Sequence, residues 1–121
     1  MTSTRLALIS FSLALLAQSP LAMAHGWVSK TTVQRVTTHD WGDSVFIYTS
    51  TLASTEACEG KNPLVLLRSN PQFKEIYAQA LLAVTTGATI GGFTYGCDAQ
   101  HYNLPILQRL DLLATPDAPY P

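Results

Sequence analysis

The chain has 121 residues, of which 47% are hydrophobic and 12% are charged, and its formal net charge is −1. A chain of this length accommodates one domain, and its hydrophobic content excludes an intrinsically disordered protein. Seven Lys and Arg residues are balanced by eight Asp and Glu residues, which argues against nucleic-acid binding through a basic face.

The first 24 residues have the organisation of an export signal. Arg5 precedes an apolar run over residues 6–16, and the segment ends in Ala22-Met23-Ala24, the small-residue pattern that precedes signal-peptidase cleavage. The apolar run of 11 residues is well short of the roughly 20 that span a bilayer. We therefore expect cleavage after Ala24, one domain over residues 25–115, a tail over residues 116–121, no remaining membrane span, and a secreted or periplasmic location.

Three strands are predicted before a helix. Residues 27–38 are rich in β-branched side chains and contain neither Pro nor Gly, and residues 39–43 form a turn cluster. Residues 44–50 predict a second strand. Beyond a loop with the first cysteine, the apolar run at residues 64–68 is typical of a buried strand.

The two cysteines, Cys58 and Cys97, are 39 residues apart. Export would place them in an oxidising compartment, where a pair of cysteines is normally bridged. Their spacing lacks the CxxC pattern of zinc sites. We expect a structural disulfide between them.

The helix is predicted between Asn70, as its N-cap, and Gly87, which closes its C-terminal end, with Pro71 in the first turn. Its apolar residues recur at spacings of three and four, which predicts one core-facing stripe. This stripe comprises Phe73, Ile76, Tyr77, Ala80, Leu81 and Val84.

The other side of the helix is less polar than is usual for a surface helix, because it contains Ala78, Leu82 and Ala83. Two explanations remain open. Exposed small or apolar residues are tolerated singly on protein surfaces, or this side packs against a neighbouring subunit.

Two strands follow the helix. Residues 88–95 contain Gly91-Gly92, which is typical of a bulge or a bend, and a bulge there would turn Phe93 and Tyr95 to the same side as an inward-pointing Ile90. Residues 104–113 predict the last strand. The resulting βββαββ order predicts a mainly β protein with one helix, a small five-stranded OB-fold-like barrel. An open sheet with a helix on one face is the alternative.

The stretch Phe73-Lys74-Glu75, which continues through the helix to Thr86-Gly87 and a strand, resembles the binding subunits of the subtilase-cytotoxin and typhoid-toxin type. The export signal and the two cysteine positions are similar as well, and the likeness covers residues 26–112. It implies an OB-fold, a ring of five copies with the helices around a central pore, and glycan binding on the outer surface. The semi-apolar side of the helix is what such a ring would require.

The chain contains no GxSxG, HExxH, P-loop or GxGxxG motif. Its acidic pairs, Asp40 with Asp43 and Glu56 with Glu59, are expected in solvated turns. We therefore expect a non-enzymatic binding module that uses no cofactor and no metal. Its ligand would be a glycan or a protein, and a monomeric structural or interaction protein of the cell envelope is the second hypothesis.

Trp41 in the first turn and Tyr102 in the last loop are the best candidates for stacking on a sugar ring. Asp98, His101 and Asn103 lie close to Tyr102 in the sequence and carry groups that bind hydroxyls. Four other aromatic residues are expected to fill the barrel. These are Trp27, Tyr48, Tyr77 and Tyr95.

A third hypothesis is copper binding at His25, the N-terminal residue after the expected cleavage. Its α-amine and imidazole nitrogens would chelate Cu(II), with His39 or His101 completing the site. The start His25-Gly26-Trp27-Val28 resembles that of lytic polysaccharide monooxygenases, which hold copper in this way.

Overall fold

The computed structural model describes residues 25–121; the predicted export signal lies outside the described residues. The elements, in chain order, are β1 (His25–Thr38), β2 (Ser44–Thr49), β3 (Leu64–Leu67), α1 (Phe73–Thr86), β4 (Thr89–Asp98) and β5 (Leu104–Leu112). All six agree in type and order with the sequence prediction.

The five strands close into a ring in the order β1-β2-β3-β5-β4. Neighbours are antiparallel except β3 and β5, which are parallel at the pair Val65 and Ile106. Strand β1 pairs with two neighbouring strands along its length: residues 25–32 pair with β4, and residues 33–38 pair with β2. This closure, with a helix between β3 and β4, confirms the mainly β, OB-fold-like prediction and rules out the open sheet.

The interior of the ring is aliphatic. Its fully buried side chains come from all five strands, and α1 adds Ile76, Ala80 and Ala83 from one end. The strand residues with no exposed surface include Val28, Ile47, Leu66, Ile90 and Leu107.

The prediction that four aromatic residues fill the barrel is wrong for Trp27 and is met only in part by Tyr48 and Tyr77, which pack against the hydrophobic clusters from their edges. Trp27 is 41% exposed, because it lies between the buried residues Gly26 and Val28 and successive strand residues point to opposite faces. Tyr48 lies beneath the Arg35 guanidinium, 3.9 Å from the ring centroid. Tyr77 and Tyr95 are only partly buried.

The predicted effect of the paired glycines is also wrong. Ile90 and Thr94 are both fully buried, so the strand alternates without interruption across Gly91-Gly92. The register shifts against β5 lie between Phe93 and Thr94 and beyond, while the irregularity opposite the two glycines, between Val28 and Thr31, has its extra residue in β1. Phe93 therefore stays on the outside, where its ring contacts Trp27 with 5.3 Å between centroids.

The helix begins two residues later than Pro71. Asn70 Oδ1 accepts a hydrogen bond from Gln72 N at 2.8 Å, so Asn70 caps the turn before α1 rather than the helix itself. Gly87 closes the helix as predicted, since it adopts the left-handed conformation with φ 73° and its N–H donates to Ala83 O at 2.9 Å.

Ala83 does not belong to the outward side of α1, which corrects the prediction. It is fully buried, whereas Leu81, predicted to face the core, is 40% exposed. The reason is geometric. At about 100° per residue, Ala83 lies about 60° from Ala80 around the helix axis, and Leu81 lies about 100° away. The outward side therefore carries Ala78, Leu81 and Leu82.

Cys58 and Cys97 form the predicted disulfide, which joins the loop before β3 to the end of β4. A disulfide is typical of proteins outside the cytoplasm. Within residues 25–121, no helix has the length and apolar character needed to cross a bilayer.

The tail after β5 has no regular structure, but it packs against the outside of β4. Tyr120 Oη lies 3.0 Å from Gly92 O and 2.9 Å from Asp111 Oδ2, and the ring contacts Trp27. A Cβ on Gly91 would lie 2.3 Å from Tyr120 Cζ, so the ring occupies the space that the missing side chain leaves.

Candidate functional site

The loop between β1 and β2 (residues 39–43) meets the loop between β4 and β5 (residues 99–103) at His101. His101 Nδ1 lies 2.7 Å from Asp98 Oδ2, at the end of β4. On the other side of the ring, Nε2 lies 3.2 Å from Asp43 Oδ1. His101, of which 5% is exposed, therefore connects the two loops through its imidazole.

The β4–β5 loop is a tightly bonded turn. Asp98 O accepts hydrogen bonds from the backbone N–H of His101 at 3.1 Å and of Asn103 at 2.9 Å, and Asp98 Oδ1 accepts one from Gln100 N at 3.0 Å. Tyr102 has φ 58°, a left-handed conformation that is uncommon for residues with a side chain. This backbone presents the Tyr102 ring to solvent with 74% of its surface exposed.

Trp41 is held in the β1–β2 loop by a cluster of rings. It stacks on His39 with 4.3 Å between centroids, and it lies 5.9 Å from the His101 ring. Phe46 of β2 lies beneath both histidines, at 4.7 Å from His39 and 5.6 Å from His101. Half of the Trp41 surface remains exposed.

Between the two loops lies a cavity of about 280 Å³. A second cavity of about 500 Å³ adjoins it and is lined by Arg68, Asp98 and the start of the β4–β5 loop. The two share Asp43, Gln100 and His101, and we call them together the loop cleft. The smaller cavity is lined by Trp41, Asp43, Gln100, His101 and Tyr102.

The surroundings of His101 favour its protonated form. Burial by itself lowers the pKa of the imidazole, but the hydrogen bond and charge of Asp98, together with the charge and hydrogen bond of Asp43, outweigh that effect. The net result is a pKa of His101 above its usual value.

Asp98, His101 and Ser44 have the connectivity of a hydrolase triad, since Ser44 Oγ lies 3.3 Å from His101 Nε2. Ser44, however, has no exposed surface, and its hydroxyl is also 3.1 Å from Asp43 Oδ1, to which it donates. A nucleophile must be reachable by the substrate. This serine is enclosed in β2 and instead supports the contact between His101 and Asp43.

The five predicted recognition residues are partly brought together. Trp41, His101 and Tyr102 line the smaller cavity, and Asp98 lines the larger one and holds the His101 ring. Asn103 lines neither, because its Nδ2 donates to Glu59 Oε2 at 3.0 Å.

The sequence interpretation missed Asp43 and Gln100, which also line the cleft. Asp43 does lie in an exposed turn, as predicted, and its position two residues from Trp41 is a usable signal for the cleft. The prediction of a solvated turn is wrong for Glu56, which is 1% exposed. Its Oε1 accepts a bond from Gly96 N at 2.9 Å, and its Oε2 has no hydrogen-bond partner within residues 25–121.

The copper hypothesis loses one of its proposed ligands. Both ring nitrogens of His101 are engaged by carboxylates, so this histidine is not free to complete a site at His25. The described residues contain no cluster of three or more His, Cys, Asp or Glu side chains arranged to hold a metal ion. The side chain of His25 lies outside what the structure describes, and its own role stays a prediction.

The fold and the cleft define a small OB-type barrel whose β1–β2 and β4–β5 loops form a ligand-sized cavity. In OB-folds these same loops bind oligonucleotides and oligosaccharides. Comparison of the chain with known protein families, curated proteins and solved structures finds no match.

Proposed function

We propose that the protein is an exported, non-enzymatic binding module that holds a glycan in the loop cleft. The observation that carries the proposal is the placement of two exposed aromatic rings, Trp41 and Tyr102, on opposite loops around one cavity of about 280 Å³. Both loops are those that OB-folds use for oligosaccharides.

The chemistry of the cleft favours a sugar over the other ligand class of OB-folds. Flat aromatic faces pack against the C–H face of a sugar ring, and a few polar groups fix its orientation. Here the Asp43 carboxylate and the Gln100 amide supply those groups. Two carboxylates, Asp43 and Asp98, line the cleft with Arg68 and His101, so the cleft carries no excess of positive charge to attract the phosphates of an oligonucleotide. A neutral glycan therefore fits best.

The enclosed Ser44 supports binding without hydrolysis, because the catalytic connectivity of the cleft includes no reachable nucleophile. The disulfide supports export. The resemblance to toxin binding subunits supports both the glycan and an assembly of several copies, which would use the outward side of α1.

A glycan array, followed by calorimetry with the glycan that binds, tests the proposal. We expect Trp41→Ala and Tyr102→Ala each to weaken binding by at least about tenfold, which is about 1.4 kcal/mol of lost contact. Leu52→Ala is the control, because Leu52 is 70% exposed and lies in the loop after β2, outside the cleft. No binding to any glycan, or equal binding by the aromatic variants, would reject the proposal.

A further inference from the structure

Three polar atoms form a triangle at the base of the loop cleft. His101 Nε2 lies 3.2 Å from Asp43 Oδ1 and 3.3 Å from Ser44 Oγ, and Ser44 Oγ lies 3.1 Å from Asp43 Oδ1. Ser44 has no exposed surface, so the triangle is closed to water on the side of β2. How its few protons are distributed depends on the charge of His101.

When His101 is protonated, both contacts that Asp43 makes in the triangle are hydrogen bonds. Nδ1–H donates to Asp98 and Nε2–H donates to Asp43, while the Ser44 hydroxyl also donates to Asp43. The imidazolium then links two carboxylates that lie on different loops. Such charge-assisted bonds are stronger than neutral ones.

When His101 is neutral, the same geometry contains a conflict. The proton stays on Nδ1, because Asp98 Oδ2 is only 2.7 Å away and accepts it. Nε2 then presents a lone pair to a carboxylate oxygen 3.2 Å away. The single hydroxyl proton of Ser44 is donated either to Nε2 or to Asp43, but not to both. The Asp43 carboxylate has therefore lost the Nε2–H donor, and the Nε2 lone pair repels it.

We propose that the charge of His101 switches the loop cleft between a closed, binding form and a loosened one. With His101 protonated, the link to Asp43 holds the β1–β2 loop against the β4–β5 loop and keeps Trp41 and Tyr102 at a fixed separation. With His101 neutral, the Asp43 side chain swings away and the loop that carries Trp41 loses its link to the β4–β5 loop, while the bond from Arg68 N to Asp43 O at 3.0 Å keeps the backbone of Asp43 beside β3. The effect on ligand binding rests on the proposed function, whereas the loop movement does not.

Other charged or titratable groups near His101 do not replace Asp98 and Asp43 as the partners of its imidazole. Arg68, at the end of β3, lines the larger cavity with Asp43 and Asp98, but its guanidinium lies over the Phe73 ring at 5.1 Å. His39 approaches only through rings, by way of Phe46. Tyr102, beside His101 in the chain, faces solvent. The raised pKa of His101 agrees with control by Asp98 and Asp43.

The loop movement can be measured without a ligand. The chain has two tryptophans, so the Trp27→Phe variant leaves Trp41 as the reporter beside His101. We expect its fluorescence to change with pH at the same midpoint as the His101 signals in an NMR titration. Asp43→Asn should lower that midpoint, because it removes one carboxylate, and His101→Gln should abolish the transition.

His39→Gln is the matched control, since His39 stacks directly on Trp41. The transition should persist in this variant. A transition that disappears with His39, or no transition while His101 titrates, overturns the switch.

The glycan array, read at about pH 5 and about pH 9, on either side of the ordinary range of histidine, tests the effect on binding. We expect signals about tenfold higher at the lower pH, a typical size for coupling between two sites, and no pH difference in His101→Gln. Equal signals at both pH values reject the coupling. Fluorescence and NMR transitions in a protein that binds no glycan would reject the proposed function and leave the loop switch standing.

Discussion

His101 is the residue through which pH should act on the stability of the protein. Its folded-state pKa is raised, so the proton is bound more tightly in the folded chain than in the unfolded chain, where the value is about 6.5. Its contribution to the free energy of unfolding is therefore complete below about pH 6.5 and is lost as the pH rises through the folded value. Urea unfolding at a series of pH values measures this decline.

The variant His101→Gln isolates the contribution of that residue. It should remove the part of the pH dependence that falls on the alkaline side of the unfolded value, while other titrating groups keep theirs. A wild type and a variant whose stabilities run parallel across this range would contradict the assignment.

Single residues of the cleft differ in how readily the sequence reveals them. Trp41 and Tyr102 could be predicted because large aromatic side chains in turns have few reasons to be there other than packing or recognition. The partnership of Asp43 with His101 could not, because the two are 58 residues apart and only the closure of the barrel brings their loops together. The prediction that Asn103 lines the cleft is wrong for the converse reason: closeness in sequence to Tyr102 does not decide where the Asn103 amide points.

At the scale of elements, α1 shows what a hydrophobic pattern determines. The spacing of its apolar residues predicted the helix and most of its buried side. It did not determine the rotation of the helix, since Leu81 and Ala83 are both apolar and either could face the core. The choice follows from the rotation that buries Ile76 and Ala80, which places the small Ala83 on the buried side.

The substitution Ala83→Glu tests this rotation, with Ala78→Glu as the same change on the outward side. Ala83→Glu buries a charge without a partner and should lower the free energy of unfolding by about 3 kcal/mol or more. Ala78 is exposed within one chain, so its variant, compared with the wild type at a dilution where both are monomeric, should stay within about 0.5 kcal/mol of it. Urea denaturation of both variants compares their free energies of unfolding directly. Similar losses in the two variants would show that the assignment of the buried and outward sides of α1 is wrong.

The tail is an element that local sequence patterns did not reveal. Its prolines correctly predicted irregular structure, but its attachment depends on Tyr120 fitting the gap over Gly91. The Tyr120 hydroxyl is buried and bonded to Asp111; burial and that carboxylate raise its pKa, against the opposing effect of Arg109. Nothing within the tail itself indicates a partner almost thirty residues earlier.

Gly91→Ala should release the tail, because the new methyl group would overlap the Tyr120 ring. We expect a loss of about 1–2 kcal/mol, the sum of one ring contact and one hydrogen bond. Trp27, which contacts Tyr120, should then emit at longer wavelength, and the Trp41→Phe background isolates its signal. Tyr120→Ala should give the same shift; an unchanged spectrum in both variants would show that the tail does not cover Trp27.

At the scale of the whole molecule, the order of the elements along the chain could be predicted because each element is regular and clearly separated from the next. Closure of the ring follows from the long β1, which pairs with two neighbours along its length. The number of copies in an assembly depends on contacts between the surfaces of separate chains. A single chain shows only which apolar side chains the fold leaves uncovered.

Those side chains predict assembly through α1. Leu81 is 40% and Leu82 is 52% exposed, and with Ala78 they form an apolar side that a second copy would cover, as the resemblance to ring-forming toxin subunits implies. Light scattering after size exclusion should then show an oligomer, and Leu82→Lys should return it to a monomer. Leu52→Lys, in a loop, should leave the assembly intact. A monomeric wild type at high concentration would favour the envelope-protein hypothesis over the ring, while the loop cleft, built within one chain, would remain able to bind its ligand.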